Sequence, residues 1–242
     1  WGIMPHMHTN ILEVDMTRIS RAVSLATSFA LSRGIDVYPH MDVAAVSGST
    51  SLDKKVGGST RDGYHIDTIA PYGSGNSYTF NNNATTMKVG YQAADDMTPA
   101  DGYSWSIFAR IAGVDVPQGS TIETAILHFH QPVSSSATGK SVTIDGNDVD
   151  TAAIPSAEAD IRSATKTTAT VSWTIGTISG TTVDTPEIKT IVQEIVNRAG
   201  WASGNAMTIY IHTPSTSADW DLTARSYDHS AGQAPHINIT YS

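Results

Sequence analysis

The amino-acid sequence predicts a mainly β protein: an antiparallel β-sandwich with one packed helix, preceded by an N-terminal α-helix and a Gly/Ser-rich arm. Three observations carry this. Short runs rich in Val, Ile, Thr and aromatic residues recur from Ser77 onward, separated by Gly, Asn, Asp and Ser. One stretch, Ile188 to Val196, keeps a helical apolar period instead. Charged residues are only 15% of the 242, and Ser and Thr are abundant, as in chains made mostly of strands and polar turns.

Composition also excludes function classes. A chain of this length buries a sizeable core without help from a disulfide or a metal. It has no cysteine, which removes zinc–thiolate sites, disulfides and thiol nucleophiles. Acidic residues number 23 against 14 basic, for a formal net charge of −9. Phosphate-backbone binding needs clustered Lys and Arg, so no nucleic-acid partner is expected. An apolar run of about 18 residues, the length of a helical span, is absent, so no membrane span is expected.

The first segment, residues 1–34, reads as a helix. Asn10 is placed to cap it, Glu13 follows as in a capping box, and Gly34 comes after the last periodic residue. Leu12, Met16, Ile19, Val23, Ala26 and Ala30 alternate spacings of four and three, an a/d seam, which Ala22, Leu25 and Phe29 widen. Such a helix packs on its own domain, docks on a different protein, or self-associates; as a self-associating seam it suits a homo-oligomer, a trimer among the choices. Residues 35–76 carry Gly48, Gly57, Gly58, Gly63, Gly73 and Gly75 among Ser and Thr with no long period, which reads as a linker or extended arm. Short pieces such as Ile66 to Ile69 could still add an edge strand.

Residues 77–242 form the head. Strands are expected at Tyr78–Phe80, Thr86–Tyr91, Tyr103–Ile111, Ile122–His130, Ser141–Ile144, Thr168–Ile175, Ala206–His212 and His236–Tyr241. Roughly eight strands with polar turns suit a sandwich or jelly roll. The helix among them is capped by Asp184 or Thr185, has Pro186 and Glu187 in its first turn, and buries Ile188, Ile191, Val192, Ile195 and Val196 at i, i+3, i+4, i+7 and i+8. Gly200 is placed to end it.

That helix and its surroundings also carry a resemblance. Thr185-Pro186-Glu187-Ile188 runs into Ile191-Val192-Gln193-Glu194-Ile195-Val196-Asn197-Arg198-Ala199-Gly200-Trp201, then Ala202-Ser203-Gly204-Asn205-Ala206-Met207. Upstream lie Val116-Pro117-Gln118-Gly119-Ser120-Thr121-Ile122, Thr143-Ile144-Asp145-Gly146 and Val171-Ser172-Trp173; near the end come Arg225, Tyr227 and Ala234-Pro235-His236-Ile237-Asn238-Ile239. In this order they resemble the DNRLRE (disaggregatase-related) type of extracellular β-sandwich domain. Such domains occur in bacterial and archaeal surface proteins, similar ones occur in bacteriophage virion proteins, and they are related to jelly-roll carbohydrate-binding modules. The likeness covers about residues 77–242, with Gln193 to Asn205 its most specific part. It implies a jelly-roll-like fold and a virion-surface or extracellular setting, and says little of a ligand. Unlike surface examples with a signal peptide or tandem copies, a single copy follows a helix and an arm. Anchor, spacer and head together suggest a decorating or appendage component of a phage-like virion, with the head serving adhesion. The alternative is a carbohydrate-binding module of an extracellular or cell-surface protein.

Three groups of residues invite chemistry. Asp219-Trp220-Asp221 in a polar stretch, with Tyr227 downstream, reads as a glycan platform, since an aromatic face stacks on the C–H face of a pyranose. Tyr103, Trp105, Tyr72 and Tyr78 are further candidates, while Trp173, mid-strand, is assigned to the core. Asp145, Asn147, Asp148 and Asp150 gather the oxygen donors that a structural Ca²⁺ seeks, or simply cap a turn. His128 and His130 lie on one strand face, with His212 as a third imidazole for a transition metal, or are plain strand residues. No GxSxG, P-loop, HExxH or GxGxxG pattern is present. Asp95 with Asp96 and Glu158 with Asp160 are sparse carboxylate pairs that read as solvated loops. No catalytic residue and no cofactor beyond the calcium is expected.

Overall fold

The computed structural model describes residues 48–69, 77–93, 102–130, 135–178, 180–213 and 218–242. The expected N-terminal helix, with its seam of Leu12, Met16, Ile19, Val23, Ala26 and Ala30, lies outside the described residues, as do Tyr72, Asp95 and Asp96. The chain divides into two units, Trp1–Val46 and Ser47–Ser242, and the fold below is that of the second. Among the described residues no helix is long and apolar enough to cross a membrane.

The described strands are β1 Thr50–Lys55, β2 Asp62–Ile69, β3 Ser77–Asn81, β4 Thr86–Ala93, β5 Gly102–Val114, β6 Ile122–His130, β7 Ser141–Gly146, β8 Val171–Thr174, β9 Thr182–Asp184, β10 Asn205–His212, β11 Trp220–Arg225 and β12 His236–Tyr241. Two helices join them, α1 Ala159–Arg162 and α2 Lys189–Val196. One sheet runs β1-β12-β6-β9. The other runs β11-β4-β5-β10-β7-β8, with β2 also on β5 and β3 on β2. The strand pairs are antiparallel throughout. Both sheets feed one core: Ala125, Leu127, Phe129, Val183, Ile237 and Ile239 from the first meet Val89, Ile107, Ile111, Ile144, Ile209 and Leu222 from the second. This is the sandwich that the alternating pattern requires.

The head is larger than expected. Residues 50–69, assigned to the arm, form two strands of the body: β1 pairs with β12 from Thr50 opposite Tyr241 to Lys55 opposite His236, and β2 lies against β5 along its whole length. The boundary therefore falls near Ser47, not Ser77. TSLDKK hides its strand because it is an edge strand with mostly exposed side chains, held by backbone pairing and by Val56 just beyond it. Edge strands that carry charge, as Asp53, Lys54 and Lys55 do, resist pairing with other chains.

Helix α2 begins later than the pattern suggests. Asp184 belongs to β9, and Thr185 to Ile188 continue beside β6 before the helix starts at Lys189. Side chains complete this ladder: Leu127 N–H donates to Thr185 Oγ1 at 3.0 Å, Ala125 N–H to Glu187 Oε1 at 2.5 Å, and Ile122 N–H to Gln193 Oε1 at 2.8 Å. On the other side, Glu194 accepts the N–H groups of Thr168 and Ala169. The buried face is the expected one: Ile188, Ile191, Val192, Ile195 and Val196 are fully buried, at roughly 1.5–3 kcal/mol each. Gly146 on β7 permits this seating, since a Cβ there would lie 2.8 Å from Ile195 Cδ1 and 2.9 Å from Ile191 Cγ2.

The second sheet is also covered outside. Residues between β7 and β8, including α1, cross over Tyr210 and Phe108, with Ile161 buried against both and Phe80 stacked on Phe108 at 5.5 Å. Both faces of β10 are therefore buried, which explains its nearly unbroken apolar run.

Candidate functional site

Three segments far apart in sequence meet where β4 joins its neighbours. Gly90 pairs with Trp105 on one side and with Asp221 on the other. Residues directly opposite share a face, so Trp105, Gly90 and Asp221 form a row whose middle member has no side chain. A Cβ at Gly90 would sit 2.3 Å from the Trp220 carbonyl oxygen, so only glycine lets β11 come this close. Thr213 splices the junction: Gly90 N–H donates to its Oγ1 at 2.9 Å, and that hydroxyl donates to the Trp105 carbonyl at 2.7 Å.

The result is a cleft of about 340 Å³ lined by Lys88, Gln92, Trp105, Ser136, Asp219 and Asp221, with Tyr91 and Trp220 beneath. Trp105 is half-buried. The Lys88 ammonium lies 4.8 Å from its ring centroid, and Tyr103, 40% exposed, is tilted against it at 6.0 Å. The acids are fixed. Asp219 Oδ1 accepts Ala93 N–H at 2.7 Å, and Asp221 Oδ2 accepts the Thr223 hydroxyl at 2.7 Å. Ser136 holds the wall, its Oγ accepting Asp221 N–H at 2.9 Å while its own N–H donates to the Asp221 carbonyl. A half-open indole ringed by an ammonium, an amide, a hydroxyl and two carboxylates offers stacking together with donors and acceptors.

Two of the expected glycan residues are corrected. Trp220 is 2% exposed and belongs to the core, because β11 starts at this residue and its alternation turns Trp220, Leu222 and Ala224 inward. Tyr227 does not line the cleft; it is half-buried against the core, and its N–H donates to Asp62. Asp219 and Asp221 do reach the cleft, and the open aromatic surface there is that of Trp105, with Tyr103 tilted against it. Lys88, Gln92 and Ser136 had no signal in the sequence, since only the fold brings their segments together.

The oxygen donors expected to hold calcium find partners within the protein itself. Arg198 Nε lies 2.8 Å from Asp150 Oδ1 and its Nη1 pairs with Asp148, while Asp145 bonds His212 Nε2 at 3.1 Å. Asn147 sits in a bridge to Lys166. A guanidinium thus stands where a metal was expected, and the four residues do not converge on one point. Glu158 and Asp160 serve α1, pairing with Arg162 and accepting the N–H groups of Ser156 and Ala157.

The histidines are likewise separated. His128 stacks on His236 at 4.7 Å, with its Nδ1 2.7 Å from Asp184, on the four-stranded sheet, whereas His212 is in the other sheet. Among the described residues no three His, Asp or Glu are grouped to hold a metal. Beneath α1, burial together with the charges of His212, Lys166 and Arg162 holds the His65 imidazole down at about 4. Burial likewise lowers Lys166 to about 8, against the pull of Asp145, and its ammonium lies 3.2 Å from the Tyr210 ring centroid.

No known protein family matches the chain, and no curated protein is significantly similar to it.

Proposed function

We propose that the chain is a non-catalytic surface protein whose jelly-roll-like head serves adhesion, taking carbohydrate in the Trp105 cleft. The observation that carries this reading is the half-buried Trp105, flanked by Tyr103 and Lys88, opening on a 340 Å³ space edged by Gln92, Ser136, Asp219 and Asp221. That volume falls within the range of small-ligand sites, and stacking plus a polar rim is the combination a sugar ring selects. A decorating or appendage component of a phage-like particle is the preferred setting, since the head follows a segment whose seam suits docking or self-association. A carbohydrate-binding module on an extracellular protein would use the same cleft.

A glycan array followed by calorimetry tests the reading. The wild-type chain is expected to retain at least one glycan, and Trp105→Ala to weaken that binding about tenfold, the loss of one stacking contact. Absence of binding across neutral and acidic glycans, or binding indifferent to Trp105→Ala, sinks the adhesion cleft.

A further inference from the structure

The first residue of β2 poses a chemical problem that the cleft does not touch. Asp62 is 1% exposed. Its Oδ2 accepts Tyr227 N–H at 2.8 Å, but its Oδ1 is buried with no hydrogen-bond partner among the described residues. One residue beyond Tyr227, Asp228 Oδ2 is also buried and likewise has no partner among the described residues. The charge of Asp228 acts on Asp62, and no cation is among the groups that do. The arginines nearest in sequence are committed elsewhere: Arg61 Nη1 to the Gly57 carbonyl, Arg225 to His229, and Arg110 Nε to the Ala152 carbonyl.

Two acids placed close in the fold, Asp62 out of water and Asp228 half-buried, each with a buried bare oxygen, are unfavourable unless a positive charge joins them. The turn that carries Asp228 is nonetheless tied down, with Ser226 donating its N–H to the Thr85 carbonyl and its hydroxyl to the Ala84 carbonyl. The chain therefore holds the two acids together.

We propose that Asp62 and Asp228 form a site for a hard divalent cation, calcium in preference to magnesium. The donors are oxygens only, which excludes thiophilic and imidazole-seeking metals. Two carboxylates balance a double positive charge, whereas a monovalent ion would leave one negative charge buried. Magnesium surrenders its water reluctantly, and a carboxylate this deeply buried suits an ion that takes backbone carbonyls and few waters to complete its shell. Burial and the Asp228 charge push the Asp62 carboxyl up to about 7, so a proton occupies the same place when no cation does. This site is separate from the Asp145–Asp150 loop, where Arg198 pairs with Asp148 and Asp150 and Asp145 bonds His212.

The test is thermal unfolding of the full chain at pH 8 in EDTA, in millimolar calcium and in millimolar magnesium. A saturable rise of roughly 5 °C is expected with calcium, and a smaller one with magnesium. Asp62→Asn and Asp228→Asn, which keep shape while removing charge, are expected to melt cooperatively and to lose the calcium increment. Asp148→Asn is expected to retain it. A wild-type melting temperature that calcium does not move, or an increment that Asp62→Asn keeps, overturns the proposal and leaves the pair as a proton-sharing dyad.

Discussion

Trp105 and Trp220 border one cleft and do different work, and the difference lies in strand alternation. Trp220 lies in the core, so Trp220→Ala is expected to destabilise the fold by about 3–5 kcal/mol. Trp105→Ala removes a half-buried ring and is expected to cost well under half as much; chemical denaturation of the two variants checks the ranking. In the sequence the acids on either side of Trp220 suggested an exposed loop, whereas Asp219 immediately precedes β11 and Asp221 is an outward member of it. A second prediction concerns His65, which is 3% exposed and held neutral down to about 4 against an ordinary 6.5. In the unfolded chain this imidazole takes a proton below pH 6.5 that the folded state refuses. Its contribution to stability is therefore complete above pH 6.5 and lost as pH falls from 6.5 towards 4. At about 1.4 kcal/mol per unit, the loss is roughly 3 kcal/mol. His65→Gln has no such proton to gain, so melting curves across that window are expected to fall less steeply for the variant than for the wild type.

Among the elements, α2 was the most legible because its period needs no partner to be recognised. Its start was not legible. Thr185, Glu187 and Gln193 answer β6, a strand more than 50 residues upstream, and their side chains complete its ladder, Glu187 also accepting the Lys189 N–H at the helix start. The seat of α2 gives the prediction at this scale. Gly146→Val would drive a side chain into Ile191 and Ile195 and is expected to cost about 1–3 kcal/mol through overpacking, with far-ultraviolet dichroism unchanged. Strand β1 and the first half of β2 escaped detection for the opposite reason to α2, with Ile66 to Ile69 alone read as able to add an edge strand. Their residues are largely polar, and what makes them strands is the backbone of β12 and β5, on which a local window is silent. The loop after β7 was read correctly as a concentration of oxygen donors, but the charge it answers, Arg198, lies in the turn after α2.

At the scale of the molecule, the sandwich follows from composition and alternation, since a chain with 15% charged residues and many short β-branched runs has few other ways to bury itself. Where its surface becomes specific depends on contacts no composition reveals. The cleft needs a glycine on β4, an indole on β5 and acids beside β11 to coincide, and the Asp62 pair needs the start of β2 to meet a turn beyond β11. Of these residues the sequence offered Asp219, Asp221, Trp105 and Tyr103 as candidates, but not which of the tryptophans would be available. With a net charge of −9, the chain as a whole repels polyanions, so Lys88 and the aromatic pair, not bulk charge, must supply attraction for a glycan. Backbone amide and indole resonances recorded during titration with the best array ligand test this most directly. The expected result is saturable shifts concentrated at the Trp105 indole N–H and in residues 88–92 and 219–221. Shifts centred on another surface, or none at saturating ligand, would contradict the assignment of adhesion to this cleft.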